Sequence, residues 1–108
     1  NIILLHPVGY LEMVSLNSEA SFVITDSGGL QEECCVLGTP CITLRNTTER
    51  PVTLREYGGQ SVLTGNNLNK IRKEFVRIKD QSRKPYRPEL WDGKTAKRCL
   101  EAILNYEV

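Results

Sequence analysis

The fold is decided by the stretch FVITDSGGLQEE, residues 22–33. A short apolar run, residues 22–25, is followed by two consecutive glycines and then by helix-forming residues that include two carboxylates. This order predicts a buried strand, a tight turn and a helix. Because glycine has no Cβ, the backbone N–H groups of such a turn can approach a ligand closely.

Four short apolar runs predict strands, at residues 2–5, 22–25, 41–44 and 61–63. The runs are continuous rather than alternating, which is typical of parallel strands covered on both faces. Helical patterns alternate with them, at residues 10–19, 29–37, 51–57, 67–79 and 93–106. We therefore predict an α/β fold, a parallel sheet with flanking helices that forms about half of a doubly wound, Rossmann-like domain.

Glycine, proline and aspartate residues indicate where several of these elements begin and end. Gly38, followed by Pro40, predicts a left-handed end to the second helix. Pro51 suits the first turn of the third helix, and Asp92 is the expected N-cap of the last one. Residues 80–91 contain two prolines and no clear period. They predict a surface loop, and whether its aromatic residues touch a neighbouring domain stays open.

Two of the predicted helices have apolar residues at helical spacing. In the helix at 67–79 the charged residues between them predict a solvated face. The last helix has a longer stripe, which predicts a packed helix and consists of Ala96, Cys99, Leu100, Ile103 and Leu104.

Composition limits the classes of protein and partner. The 108 residues suit about one domain, and a net charge of +1 gives no broad field for nucleic acid or a membrane surface. We find neither a signal-peptide pattern nor an apolar run of the ~20 residues that a membrane span needs. We expect a cytoplasmic protein.

The chain enters an apolar run directly after Asn1, so we expect a piece of a longer protein whose sheet has an unpaired edge.

The cysteines and the single histidine do not predict a metal site. Cys34, Cys35, Cys41 and Cys99 lack CxxC spacing, and His6 has no second histidine nearby. We expect core thiols in a reducing compartment, a structural or surface role for His6, and no bound metal.

Ser27, Gly28 and Gly29 lie where the predicted strand meets the N-terminus of the helix. That position favours phosphate, because the helix offers unpaired N–H groups and the positive end of its dipole. The alternative is a tight turn without a ligand. The motif is neither GxGxxG nor a P-loop, which argues against a dinucleotide or kinase-type site.

Glu32 and Glu33 follow one turn into the helix, where a carboxylate can accept hydrogen bonds from the vicinal hydroxyls of a ribose. The alternative is that they only interact favourably with the helix dipole. The stretch TLRNTTERP, residues 43–51, places Arg45 and Arg50 after the third predicted strand. We favour a phosphate contact for Arg50 over an ion pair with Glu49 or Glu33.

Three stretches together resemble the UDP-N-acetylglucosamine 2-epimerase family, two-domain enzymes of the GT-B fold. They are TDSGGLQEE (25–33), LGTPCITLRNTTERP (37–51) and DGKTAKRCLEAI (92–103). The resemblance runs over nearly the whole chain and implies the C-terminal, UDP-binding portion, at residues 1–108, of a longer enzyme. The sequence resembles the non-hydrolysing type, which retains the nucleotide sugar.

The resemblance also implies a role for individual residues. Ser27, Gly28 and Gly29 would hold the diphosphate, Glu33 the ribose, and Arg50 the diphosphate and sugar.

The uracil would lie along residues 6–13, against backbone groups near Val8 and the side chain of Met13. Some relatives carry an aromatic ring at the position of Met13, and methionine offers a softer apolar contact there. The resemblance implies no cofactor and no metal.

The reaction implied is the interconversion of UDP-GlcNAc and UDP-ManNAc, by elimination of UDP and its re-addition. Its acid and base groups would lie in the N-terminal domain, so we expect no catalytic residue here and no activity of this piece alone. A homodimeric full-length enzyme serving cell-surface polysaccharide synthesis is also implied. The alternatives are a hydrolysing epimerase that releases ManNAc, a GT-B glycosyltransferase and a separate nucleotide-binding module.

Overall fold

The computed structural model describes residues 1–107, and its centre is a parallel sheet. The sheet has the order β1-β2-β3, with β1 at Val23–Thr25, β2 at Cys41–Thr43 and β3 at Ser61–Leu63. Both pairs of strands are parallel, with Ile42 opposite Ile24 on one side and opposite Val62 on the other. The predicted α/β class and three of the four predicted strands are confirmed.

Within residues 1–107, four α-helices accompany the sheet: α1 at Tyr10–Glu19, α2 at Gly28–Leu37, α3 at Leu68–Ile78 and α4 at Thr95–Leu104. They confirm four of the five predicted helices. The predicted helix at 51–57 is instead two 3₁₀ turns, Pro51–Thr53 and Arg55–Tyr57. Leu54 between them is extended because it bridges to Ser61 of β3, so an α-helix cannot continue through it.

The strand predicted at residues 2–5 is absent from the structure. These residues have no regular structure, and their side chains are 63–91% exposed. An apolar composition identifies a segment that is suited to a buried strand, but a strand also needs a neighbour to complete its hydrogen bonds. Within residues 1–107 the segment 2–5 lies beside neither edge of the sheet.

Side chains cap two of the helices. Ser27 Oγ accepts the Leu30 N–H at 3.3 Å at the start of α2, and Asn67 Oδ1 accepts the Lys70 N–H at 3.0 Å at the start of α3. The predicted N-cap role of Asp92 is wrong, because Lys94 occupies that position. Asp92 instead accepts the Lys94 N–H at 3.0 Å from two residues earlier.

The buried interior is small and rich in polar groups. The fully buried apolar side chains include Ile42, Ile78 and three thiols, Cys34, Cys35 and Cys41. A hydrogen bond with Cys41, together with burial, raises the pKa of Cys34, and burial raises the pKa of Cys35. The prediction of core thiols is therefore confirmed for three cysteines and wrong for the exposed Cys99.

The apolar stripe of α4 is exposed in the structure. Leu100, Ile103 and Leu104 are 56%, 71% and 73% exposed. The predicted packing of this stripe is therefore wrong for the part of the chain that the structure describes. Helical spacing shows that a helix has an apolar face, but it does not supply the surface that covers that face.

Residues 80–91 form an irregular segment, as predicted, which crosses the C-terminal end of α2. The Lys84 N–H donates to the Gly38 carbonyl at 3.3 Å, and the Tyr86 N–H donates to the Cys35 carbonyl at 3.0 Å. Gly38 ends α2 with φ 77°, which confirms its predicted left-handed conformation. A Cβ at Gly38 would lie 2.4 Å from the nitrogen of Pro85, so glycine permits both the turn and the crossing.

We expect Gly38→Ala to lower the free energy of unfolding by about 3 kcal/mol or more, because the methyl group meets backbone atoms of the crossing segment. Gly93→Ala is the matched control, since Gly93 has the same φ of 77° and nothing within 4 Å of a new Cβ. We expect that control to cost roughly 1 kcal/mol. Urea unfolding measures both, and equal losses would contradict the steric explanation.

The contact between Asp92 and the start of α4 predicts a pH dependence. Hydrogen bonds from Arg98 and from the Lys94 N–H lower the pKa of Asp92 to about 2. The pKa of Asp92 is lower in the folded chain than its unfolded value near 4, so the ionised carboxylate stabilises the folded chain at pH values above 4. This stabilisation is lost as the pH falls towards 2. NMR titration of the Asp92 carboxyl carbon should show the low midpoint. Arg98→Met should return the midpoint towards the ordinary value, and an unchanged midpoint would contradict the assignment.

Candidate functional site

The N-terminus of α2 lies at the carboxyl end of the sheet. Helix α2 starts at Gly28, three residues after β1 ends at Thr25. Parallel strands end at the same edge of a sheet, so residues 44–50, which follow β2, reach the same region. Ser27 Oγ accepts a backbone N–H there, and its own O–H group is able to donate to another acceptor.

Arg50 packs against the glycine turn. A Cβ at Gly28 would lie 2.6 Å from Arg50 Nε, whereas a Cβ at Gly29 would meet only Ser27 Oγ, at 3.8 Å. Gly28 therefore admits the guanidinium, and the space above Gly29 is open. We name the group formed by Ser27, Gly28, Gly29 and Arg50 the anion corner.

Two carboxylates pair with Arg50. Arg50 Nη1 lies 2.5 Å from Glu32 Oε2, and Arg50 Nε lies 3.4 Å from Glu49 Oε1. Of the two ion pairs that were the alternative to a phosphate contact, the structure contains the one with Glu49, and Arg50 pairs with Glu32 rather than with Glu33. Successive residues of an α-helix point about 100° apart, so Glu32 faces Arg50 while Glu33 faces elsewhere.

Arg45 is also paired in this region. Its Nη2 lies 3.0 Å from Glu49 Oε2. A hydrogen bond from the Glu49 backbone and one from Arg45 lower the pKa of Glu49, so this carboxylate is ionised at neutral pH. The two arginines are therefore balanced by Glu32 and Glu49, and the helix N-terminus adds a positive partial charge.

Glu33 faces α1. Its Oε2 accepts a hydrogen bond from Asn17 Nδ2 at 3.1 Å. Asn17 is 5% exposed, and its backbone carbonyl accepts the hydroxyl of the buried Thr39 at 2.8 Å. Asn17 was not predicted from the sequence as a site residue. The available signal was a polar residue on the helix face that carries Met13 and Val14.

A groove of about 450 Å³ lies between α1 and α2, within the size range of small-molecule sites. Its lining includes Tyr10 and Val14 of α1, Glu33 of α2, and Trp91. Glu32 also lines it, and this residue connects the groove to the anion corner.

The two predicted uracil contacts lie at the start of α1. Val8 is 37% exposed, and Met13 is half-buried, with its N–H bonded to the Gly9 carbonyl. Neither residue is among those that line the groove. The structure thus brings Ser27, Gly28, Gly29 and Arg50 together and places Glu33 beside the groove, whereas Val8 and Met13 are not among the residues of the groove or the anion corner.

Gln31 is a second residue of this region that was not predicted from the sequence. It is fully buried, and its Oε1 accepts the hydroxyl of Thr48 at 3.0 Å. Thr53 Oγ1 lies 3.4 Å from the same oxygen but donates its proton to the Arg50 carbonyl at 2.8 Å. Thr48 Oγ1 in turn accepts the Arg50 N–H at 3.1 Å. Gln31 lies on the inner face of α2 with Cys34 and Cys35, and a polar residue on that face was the available signal.

The structure also bears on metals and membranes. Within residues 1–107, no group of three or more His, Cys, Asp or Glu side chains is arranged to hold a metal ion. His6 is exposed. None of the described helices has the length and apolar character that crossing a membrane requires.

A parallel sheet with flanking helices and an anion corner at its carboxyl edge defines a Rossmann-like α/β half domain. The family model described as UDP-N-acetylglucosamine 2-epimerase matches residues 1–104. The chain belongs to the UDP-N-acetylglucosamine 2-epimerase family.

Individual relatives agree with this assignment. The UDP-N-acetylglucosamine 2-epimerase of Methanocaldococcus jannaschii is 42% identical over 95% of this chain and 27% of the relative. That of Escherichia coli strain K12 is 37% identical over 100% of this chain and 30% of the relative. The chain spans about three tenths of the length of the curated relatives that it matches over its whole length.

A solved structure agrees as well. The crystal structure of the M. jannaschii UDP-GlcNAc 2-epimerase in complex with UDP-GlcNAc and UDP matches with a TM-score of 0.80 and 40% identity. The match covers 94% of this chain and 27% of that one. The sequence matches and this structural match are thus all to members of the UDP-N-acetylglucosamine 2-epimerase family.

Proposed function

We propose that this chain is the UDP-binding portion of a longer, two-domain UDP-GlcNAc 2-epimerase. The observation that carries the proposal is the connection between the anion corner and the groove beside Glu33. A nucleoside diphosphate needs an anion site and a hydroxyl-binding site a few ångströms apart. The complex of the M. jannaschii relative with UDP-GlcNAc and UDP supports this ligand class.

In this proposal the diphosphate binds at the anion corner. Gly29 leaves room for phosphate oxygens above the first turn of α2, where backbone N–H groups and the helix dipole favour an anion. Arg50 would exchange Glu32 and Glu49 for phosphate oxygens. Half-exposed ion pairs such as Arg50–Glu32 contribute about 1 kcal/mol or less, whereas a guanidinium and a phosphate form strong, paired hydrogen bonds.

The ribose then lies against Glu33. A carboxylate has about four acceptor positions, and Asn17 takes one of them, so Glu33 is still able to accept two ribose hydroxyls. The uracil extends over the start of α1, where Val8 and Met13 are the proposed contacts. Apolar and aromatic lining of the groove, from Tyr10, Val14 and Trp91, would limit the access of water to the nucleoside.

The proposed reaction begins when a base removes the proton from C2 of the sugar and the C1–O bond breaks. UDP leaves with the electron pair, and a 2-acetamidoglucal remains. A proton is then delivered to the opposite face of C2 while a UDP oxygen re-forms the bond to C1. The negative charge of departing UDP develops on phosphate oxygens, which the α2 N-terminus and Arg50 would stabilise.

We assign the proton transfers to the rest of the longer protein and expect this chain alone to be inactive. We further propose that the full-length enzyme is a homodimer of the non-hydrolysing type. For the residues of this chain the proposed role is to bind UDP, orient it and stabilise it as the leaving group.

We expect calorimetry to show UDP binding that is weakened by Gly29→Ala and by Glu33→Ala, each by roughly 1–3 kcal/mol. Gly29→Ala is the sharper variant. Its methyl group would meet only Ser27 Oγ at 3.8 Å in the free protein, so stability should be unchanged while the phosphate approach is blocked.

Asn69→Ala is the control for UDP binding, because Asn69 is exposed on α3. It should bind UDP as the unaltered chain does. Unchanged UDP affinity in Gly29→Ala would contradict a diphosphate at the anion corner.

The full-length protein should convert UDP-GlcNAc to UDP-ManNAc with the nucleotide retained, as followed by NMR of the anomeric protons. Proton exchange at C2 in heavy water would report the elimination step. Release of free ManNAc and UDP would contradict the non-hydrolysing type. Arg50→Lys keeps the charge but loses the paired hydrogen bonds, so kcat should fall about tenfold or more.

A further inference from the structure

Asn17 is a buried polar residue on a helix face that otherwise carries apolar side chains. It is 5% exposed and is the only residue of α1 that is buried. An amide at such a position costs stability unless it is hydrogen-bonded. Its amide nitrogen is satisfied by Glu33, the carboxylate that the proposed function assigns to the ribose.

The chemistry of this contact fixes the orientation of the amide. A carboxylate accepts hydrogen bonds, so the NH₂ group of Asn17 must face Glu33, and the amide oxygen would be repelled there. One oxygen of Glu33, Oε2, is therefore directed to Asn17 at 3.1 Å. The other oxygen, Oε1, is directed away from this bond.

Asn17 itself is held by a chain of hydrogen bonds. The hydroxyl of Thr39, which is fully buried, donates to the Asn17 carbonyl at 2.8 Å. Arg83 Nη1 donates to Thr39 Oγ1 at 2.6 Å, and Arg83 Nη2 donates to the carbonyl of Ala20 just after α1. The backbone at Asn17 is thus fixed relative to the turn that follows α2.

We propose that Asn17 is a positioning residue, which holds the Glu33 carboxylate in the orientation that accepts the ribose hydroxyls of the nucleotide. This inference rests on the proposed function, and it identifies the residue that orients Glu33 for recognition of the ribose. Glutamate has three rotatable side-chain bonds, and a carboxylate that is already oriented loses less conformational freedom on binding. Asn17 thereby acts through Glu33 and touches no ligand itself.

The test uses the full-length protein and two probes, UDP and 2′,3′-dideoxy-UDP, which lacks both ribose hydroxyls. The unaltered protein should prefer UDP by about tenfold or more, because Glu33 recognises the hydroxyls. Asn17→Ala should weaken UDP binding by about five- to tenfold and dideoxy-UDP binding by less than about twofold. A role in folding alone would weaken both ligands equally.

Further variants separate orientation from packing. Asn17→Asp has the same shape but places a second carboxylate against Glu33, so it should lose the preference for UDP at least as fully as Asn17→Ala. Once Glu33 is alanine, adding Asn17→Ala should cost no further UDP affinity, because the two residues act as a unit. If Asn17→Ala does not fold, Asn17→Asp carries the same comparison.

The outcomes distinguish this inference from the proposed function. If the unaltered protein binds no UDP, the proposed function fails and the inference fails with it. If it binds UDP with a preference over the dideoxy form and Asn17→Asp keeps that preference, the inference alone is overturned. Selective loss of the preference in the Asn17 variants, with Asn69→Ala unchanged, supports it.

Discussion

The hydrogen bonds of the Gln31 side chain hold the region on which the site depends. Gln31 Oε1 accepts the hydroxyl of Thr48 inside the protein and lies 3.4 Å from Thr53 Oγ1, and Thr48 accepts the backbone N–H of Arg50. These bonds tie the first turn of α2 to the segment that follows β2. Loss of the Gln31 amide would leave the Thr48 hydroxyl proton without this buried partner, at a cost of about 1–3 kcal/mol, whereas the Thr53 hydroxyl keeps the Arg50 carbonyl as its acceptor. Arg50 would then lose the support that places it against Gly28.

The side chains of three consecutive residues of α2 point in three different directions. Gln31 points into the core, Glu32 pairs with Arg50, and Glu33 bonds to Asn17 of α1. The 100° step of an α-helix produces this division without any distortion of the backbone. It also explains why one short motif meets both the anion corner and the groove. At the other end of α2, Gly38 allows residues 84–86 to cross closely, so the helix is fixed at both ends.

The sequence was sufficient to predict the elements that are determined by short-range sequence patterns. The strands at 22–25, 41–44 and 61–63 and the end of α2 at Gly38 follow from short-range composition and glycine chemistry. The convergence of Ser27, Gly28, Gly29 and Arg50 was also predictable, because the carboxyl ends of parallel strands lie at one edge of the sheet. The hydrogen-bond partners of Asn17 and Gln31 could not be predicted. Each bond joins residues that are 16 or 17 positions apart in the sequence, and it therefore depends on how two elements pack. The predictions of a strand at residues 2–5 and of a packed α4 stripe were wrong for a related reason: an apolar pattern does not specify the neighbour that covers it.

The weak ion pairs at the anion corner would allow another anion to replace the carboxylates that pair with Arg50. The side chain of Arg50 is 34% exposed and that of its nearest partner, Glu32, is 40% exposed, and pairs of this kind are weak because water competes for both groups. Under the proposed function a phosphate offers Arg50 a stronger, bidentate partner, and the freed Glu32 is returned to solvent at modest cost. Before the nucleotide binds, the same carboxylates keep two arginines and a helix N-terminus from forming an uncompensated positive cluster. Self-pairing of this kind lowers the intrinsic affinity for any anion, so under the proposed function selectivity would come from the second contact, at Glu33, whose orientation we propose that Asn17 maintains.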